Sequence, residues 1–331
     1  DKILKDCADY MGRGSSYKKV DVGVYFGKPG ETADDPYFDG EGPSRSGCTL
    51  CGGCMVGCRF NAKNTLDKNY LYLAEKLGVE ILPEQEVENI CPLDDGGYQL
   101  TIRKSTGLRR PTQKLQAQKV ILSGGVMGTV KLLLQCRKQG SLEHISSKLG
   151  DIVRTNSEAI IGVKLKKTPK EDFSKGVAIS AGFHPDKDTH IETVRYGVGQ
   201  NALALLTTFL PDRKIPLPGL IRLGISVVRS PLQFIANFFP FNWTKKTIIL
   251  LVMQPVSNYL KLNYKPRWWR FGGHSMNSQS NTGKKIPSHI PIGEKTADTI
   301  ISKTGGTAMT TYMDAIFDIP TTAHILGGAC I

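Results

Sequence analysis

The sequence predicts a mixed α/β and α+β protein of about two domains with a cysteine-rich loop insert, and three observations carry that prediction. Between Asn64 and Cys136 helical and strand patterns alternate, ending in a strand, a glycine pair and an apolar helix. From about Val153 the texture changes to short β-rich runs of the kind a mainly antiparallel sheet uses. Ahead of both, Cys48, Cys51, Cys54 and Cys58 crowd into the stretch SGCTLCGGCMVGCRF. The length of 331 residues suits two domains.

The cysteine spacing, C-x2-C-x2-C-x3-C, is that of bacterial iron–sulfur ligation. Gly52, Gly53 and Gly57 give the loop the freedom to curl around an inorganic core. Zinc is the weaker reading, because structural zinc sites take two C-x2-C pairs separated by a longer insert. Disulfides would close very small loops with poor bond geometry. In two-cluster ferredoxins the fourth cysteine serves the other cluster and precedes proline. Here Arg59 follows Cys58 and no second set exists, so the spacing leaves open both a 4Fe-4S cluster on all four thiolates and a 3Fe-4S cluster on three. Cys7, Cys91, Cys136 and Cys330 are scattered and read as buried reduced thiols.

Lysine and arginine number 43 against 30 acidic residues, a net charge of +13. Such a surface suits nucleic acid, anionic lipid or acidic substrates. No zinc finger, helix-turn-helix or aromatic–basic RNA motif is present, so nucleic acid is set aside. The chain starts at Asp1 without methionine, signal or anchor and ends at GGACI, so both ends read as cut. A cytoplasmic location is expected, with peripheral membrane contact kept open.

Residues 20–46, rich in Gly, Pro and Asp, read as a long ordered loop with one short strand. Asn64 is placed to cap a helix carrying Leu66, Tyr70, Leu73 and Leu77, with Gly78 ending it. Strands are expected at 79–82, 86–91 and 98–102, the last two joined by the turn Asp94-Asp95-Gly96-Gly97. A strand at 117–123 should run into Gly124-Gly125 and a helix over 126–136. At such a junction helix amides point outward and glycine lets a ligand approach, although alone it reads as a tight βα turn.

Strands follow at 159–166, 176–183 and 190–196, and the unbroken apolar run 247–254 predicts a central strand. Residues 216–243 are apolar and aromatic with only Arg222 and Arg229 charged. The uncharged stretch between Arg229 and Lys245 is too short to span a bilayer and contains Pro231 and Pro240. Core packing as a buried cap is the expectation, with a lipid-facing ramp as the alternative.

Several stretches together resemble the glucose–methanol–choline family of flavoenzymes, most closely its cholesterol-oxidase-like branch. They are AKNTLDKNYLYLAEKLGVEI, EVENI with GGYQLTI, KVILSGGVMGTVKLLL, RTNSEAIIGV and TAHILGGA, in the family's order along nearly the whole chain. The resemblance implies part of an FAD-binding Rossmann-like domain plus a substrate domain on an antiparallel sheet. It divides the chain into a substrate-side segment (1–78) with the cysteine loop (48–58), an FAD-binding part (79–150), a substrate and cap domain (151–318) and the start of a C-terminal FAD segment (319–331). Val87 would lie near the adenine, Gly124 and Gly125 near the cofactor's linker, and His324 of H-x-L-G-G at the flavin. A histidine suits alcohol oxidation because hydride loss is easier as the hydroxyl proton leaves to a base of near-neutral pKa. His144, His184, His190, His274 and His289 have no such context and read as surface or structural.

Departures from the family pattern refine the expectation. Its N-terminal G-x-G-x-x-G is absent, as is the segment after H-x-L-G-G, so the chain reads as an interior fragment that is inactive in isolation. Sterol oxidases of the family also use a glutamate to move the steroid double bond. Thr244 falls at that position, with Glu158 and Glu192 as substitutes. Some related flavin dehydrogenases carry a cysteine-rich insert before the same helix, holding an iron–sulfur cluster. The resemblance thus implies oxidation of a bulky apolar, sterol-like alcohol, with electrons passed through the cluster to an external acceptor. The alternatives are an oxygen-using oxidase with structural cysteines and a non-catalytic iron–sulfur or zinc-binding carrier module.

Overall fold

The apolar run expected as a central strand, Thr247–Met253, lies fourth in a seven-stranded sheet. The order is Lys18–Lys19, Ile179–Phe183, His190–Val194, Thr247–Met253, Ala159–Lys164, Thr307–Thr311 and Thr207–Phe209, and every pairing is antiparallel. This is a computed structural model, and it describes residues 1–237, 239–267, 273–280 and 286–329. The chain divides into two compact units of three stretches each. One takes Asp1–Val79, Ser157–Val256 and Pro287–Thr321; the other takes Glu80–Asn156, Ser257–Ile286 and Thr322–Ile331.

The seven-stranded sheet belongs to the first unit, and strand alternation divides its side chains between two faces. Ala159, Ile161, Val163, Ala181, Phe183, Ile191, Leu250 and Val252 form one core with Leu4, Cys7 and Ala8 of the helix Lys2–Tyr10 and Ala297 and Ile300 of the helix Pro291–Thr304. Fully burying each large aliphatic or aromatic side chain stabilises by about 1.5–3 kcal/mol. The helix Pro291–Thr304 seats tightly, since a Cβ on Gly293 would stand 2.8 Å from a Val252 methyl. Val194, Ala204, Trp243 and Ile249 form a second cluster.

The second unit holds two smaller sheets. Gln85–Pro92, Tyr98–Lys104 and Thr112–Ala117 form an antiparallel meander whose first turn places Gly96 and Gly97 at positive φ. His274–Ser280, Tyr259–Pro266, Val153–Arg154 and Leu326–Gly327 form the other, in that order. The helix Gly125–Gln139 packs Val130 and Leu134 against Leu149, Val153 and Leu262.

Several expectations are corrected. Residues 79–82 form no strand, and Val79, Ile81 and Leu82 are exposed. The expected strand at 117–123 begins and ends earlier, as Thr112–Ala117. Residues 118–123 then run without a strand partner among the described residues. The helix expected from Asn64 is interrupted. A short 3-10 turn, Leu66–Lys68, meets the helix Tyr70–Lys76 at Asn69, whose side chain caps it. Cys330 lies outside the described residues, and Cys91 is only half-buried, whereas Cys7 and Cys136 are fully buried.

The expected buried cap at 216–243 is also corrected. It folds as the helices Gly219–Arg229, Pro231–Asn237 and Trp243–Lys246. Arg222 is buried and pairs with Asp318, 2.6 Å away, beside Arg213, which also reaches Asp314. Turning that charged side inward leaves Leu220, Ile221, Val228, Leu232 and Ile235 exposed. Among the described residues no helix is long and apolar enough to cross a membrane.

Lys164, at the end of its strand, donates to the Asn237 Oδ1 at 2.8 Å. Burial, with the nearby charge of Lys246, pushes its pKa down to about 8. A protonated Lys164 therefore costs stability below pH 8, and the cost is relieved as pH rises toward the unfolded lysine value near 10.5. Lys164→Met should raise stability at pH 7 by about 1 kcal/mol after allowing for solvent screening. Denaturant titrations from pH 7 to 10.5 should show the wild type gaining on the variant; a constant difference between them would refute the assignment.

Candidate functional site

The strand Gln85–Pro92 and the helix Gly125–Gln139 pack together, and a cleft of about 300 Å³ opens between the strand's start and the helix's first turns. Its walls include Val87, Ser123, Gly124, Gly128, Thr129 and Lys131. Val87 and Gly124, singled out in the sequence, thus share one cleft. Gly125 begins the helix with φ +63° and open space where a Cβ would stand, but it does not line the cleft. Gly124 is the N-cap without a side-chain cap, so the first-turn amides of this 15-residue helix remain for a ligand or water. Lys131 donates to Glu86 at 3.0 Å on the same wall. That bond, outweighing burial, holds the Glu86 carboxyl below the ordinary range.

His324 reaches its place through backbone pairing. Leu326–Gly327 adds to the edge of Val153–Arg154, which sets the preceding residues beside Asn156. The histidine is exposed, and its Nδ1 lies 2.8 Å from the Asn156 Nδ2. The glycines of H-x-L-G-G have a steric reason. Gly327 and Gly328 both have φ above +80°, and a Cβ on Gly327 would stand 2.3 Å from the Ile152 carbonyl oxygen. Gly328 in turn accepts from the Gly150 amide at 2.7 Å.

The four loop cysteines line one small pocket with Val24, Phe60 and Lys63. Cys48 is buried, and the others are half-buried. The Leu50 amide donates to the Cys48 sulfur at 3.4 Å. Burial still raises the Cys48 pKa. At Cys58 burial also raises the pKa, but the backbone amides of Lys63, Ala62 and Phe60 outweigh it and bring the thiol below its ordinary value. The free space within the pocket is about 10 Å³, about one water's worth. Among the described residues, no three or more His, Cys, Asp or Glu side chains are grouped to hold a metal ion. Backbone amides bond the sulfurs of Cys48 and Cys58.

What holds this loop is a residue that the spacing of cysteines did not reveal. Arg45 is completely buried and donates to the carbonyls of Pro43 and Lys68 and, at 3.0 Å, to the Asn64 Oδ1. The Tyr37 ring covers it at 5.7 Å. Asn64, expected as a helix cap, is thus a strut for the loop. Gly52, at φ +71°, lies where a Cβ would meet the Ser174 carbonyl oxygen at 2.3 Å. The sequence signal for Arg45 was only its place between proline and cysteine.

The remaining candidates separate clearly. Thr244 is buried, and its amide and hydroxyl both bond the Asn201 Oδ1. Glu192 lies within a strand, 3.9 Å from His190, and Glu158 is buried just before another strand. His184 and His190 stack at 4.5 Å, His289 pairs with Glu294 at 2.7 Å, His274 meets Lys138 at 2.9 Å, and His144 is exposed.

The meander, glycine-opened helix and mainly antiparallel sheets make a mixed α/β chain, with a fold consistent with an FAD-binding Rossmann-like domain. Residues 43–151 match the model of GMC oxidoreductases. The chain is 41% identical over 342 residues to a cholesterol oxidase of Mycobacterium tuberculosis, covering 100% of this chain and 59% of that protein. A cholesterol oxidase of Acinetobacter baumannii is 38% identical over 345 residues, covering 100% of this chain and 61% of that one. The chain thus spans about three-fifths of the length of these relatives. An FAD-dependent oxidoreductase from Chaetomium thermophilum aligns over 99% of this chain and 58% of its own, at 12% identity and a TM-score of 0.41.

Two substitutions test the local structure. Gly327→Ala should destabilise by at least about 1 kcal/mol from positive φ alone, and hydrogen exchange should show residues 324–328 detached from the strand Val153–Arg154. Arg45→Met should cost about 2–3 kcal/mol by leaving buried carbonyls unpaired. An unchanged unfolding midpoint in either variant would contradict the corresponding account.

Proposed function

We propose that this chain is part of an FAD-dependent oxidoreductase that oxidises the CH–OH group of a bulky apolar, sterol-like alcohol. The observation carrying the reading is the 38–41% identity to cholesterol oxidases along all of this chain. The second unit, residues 80–156 with 257–286 and 322–331, is assigned the flavin-binding part. Its cleft has a chemistry that suits a dinucleotide: an apolar wall at Val87 for a base, and glycines and free helix amides at 124–128 for the linker. Bound FAD would supply the hydride acceptor. The chain's own contributions are to seat that cofactor on Val87, Gly124 and Gly125, and to bring His324 to the alcohol oxygen for hydrogen bonding and proton transfer.

The cysteine loop supports a second, finer reading: a 4Fe-4S or 3Fe-4S cluster on Cys48, Cys51, Cys54 and Cys58, relaying electrons to an external acceptor. Its support is that one pocket gathers all four thiols on a loop bearing three glycines. Side chains must turn and the pocket must open to admit the cluster, and the Cys58 amide bonds would then serve a thiolate. Without the cluster, oxygen is the acceptor and the cysteines are structural. Peripheral membrane contact is supported by the exposed apolar residues between 217 and 241, in a protein of net charge +13.

The full-length protein should bind FAD and oxidise a sterol, and His324→Ala should lower turnover on the order of 100- to 10,000-fold. Gly124→Val should reduce flavin content, because even a Cβ there stands 3.3 Å from the Thr129 nitrogen. Iron and acid-labile sulfide assays on anaerobically purified protein decide the cluster. Flavin without iron leaves the oxidase reading, and protein free of flavin after reconstitution defeats the enzyme reading.

A further inference from the structure

The side chains of Thr322, Asn156 and His324 form one hydrogen-bonded chain. The His324 backbone amide donates to the Thr322 hydroxyl oxygen at 3.1 Å. That hydroxyl donates to the Asn156 Oδ1 at 2.6 Å. With Oδ1 so engaged, the Asn156 Nδ2 faces the His324 Nδ1 at 2.8 Å. Thr322 and His324 come from one segment and Asn156 from another, 166 and 168 residues away in sequence. The Asn156 backbone is followed by a sharp reversal: Ser157, fully buried, sits at φ +47°. A left-handed serine costs on the order of 1 kcal/mol and persists only where the surroundings impose it.

We propose that Asn156, oriented by Thr322, is a positioning residue for His324, holding Nδ1 as an acceptor so that the neutral ring carries its proton on Nε2. This rests on His324 being the site histidine of the proposed function. The amide has two chemically distinct ends, and Thr322 determines which one meets the ring. An amide nitrogen carries only donors, so a ring nitrogen facing it must offer its lone pair. The other ring nitrogen then bears the hydrogen.

The consequence for an alcohol is specific. With hydrogen on Nε2, His324 meets the substrate oxygen as a donor and orients the hydroxyl. To receive the hydroxyl proton at Nε2, the ring must first hold its hydrogen on Nδ1. Asn156 must then turn its amide to present Oδ1, breaking its bond from Thr322. Asn156 thereby sets the balance between orienting the alcohol and accepting its proton. Asn156→Asp removes the choice, because a carboxylate accepts from Nδ1–H and leaves Nε2 with its lone pair.

The test uses the full-length protein labelled with nitrogen-15 at histidine, with His324 assigned by the loss of its signals in His324→Gln. Long-range nitrogen–proton spectra should show hydrogen on Nε2 in the neutral wild-type ring. Asn156→Asp should reverse the tautomer, and Thr322→Val should give both forms. Turnover of Asn156→Ala should fall on the order of 100-fold with KM little changed, as expected when a reacting group is misplaced. Hydrogen on Nδ1 in the wild type, or an unreversed tautomer in Asn156→Asp, overturns the proposal, as does full turnover in Asn156→Ala. Reading the wild-type tautomer needs only the assigning variant, His324→Gln, to fold. Full sterol turnover in His324→Ala would instead remove His324 from the proposed site while leaving the tautomer result standing.

Discussion

Two residues, Val153 and Arg154, carry the second unit's connectivity. On one side they pair with Tyr259 and Leu260, and on the other with Leu326 and Gly327. Val153 also lies in the core against Val130 and Leu262. Three stretches distant in sequence are thereby held by a strand of minimal length. The glycines after His324 exist to let this pairing form: a side chain at Gly327 would strike the carbonyl of Ile152. The histidine's location follows from main-chain hydrogen bonding rather than from its own contacts, and its orientation follows from Asn156.

Sequence patterning conveyed the strands whose burial alternates or is complete. Ala159–Lys164, His190–Val194 and Thr247–Met253 lie close to their expected bounds because one face of each meets a helix-covered core. The hairpin at Asp94–Gly97 was legible for a different reason, since two glycines in sequence mark positive φ. The misjudged segments share a property: many of their apolar residues are exposed. Residues 79–82 and 118–123 carry strand-like composition, but neither finds a neighbouring strand. At 64–78 a helical spacing of apolar residues was present, yet Leu66, Tyr70 and Leu77 are exposed and the backbone breaks at Asn69. Periodicity reports a face, and only packing decides whether that face is covered.

The candidate site was legible in proportion to how much of it is local. The cysteine loop and glycine junction are contiguous motifs, and the structure gathers the four thiols around one pocket and sets Val87 with Gly124 on one cleft. Arg45 and Asn156 were not legible, because each acts through partners that the sequence separates. Arg45 is a buried cation whose terminal nitrogens bond carbonyls and an amide, a pattern without a recognisable spacing. The segment 216–243 shows the same limit in reverse. Its composition suggested a core, but Arg222 takes the inward position through Asp318, and the apolar side faces outward.

Each unit is assembled from three separate stretches, so the chain passes between units five times along its length. Such interleaving has an evolutionary meaning. No single cut releases either unit as a continuous piece, and no single recombination event can exchange one unit while keeping the other. The two are therefore inherited as one block. The cysteine-rich segment lies within the first stretch, braced by Arg45 and Gly52, outside the seven-stranded sheet.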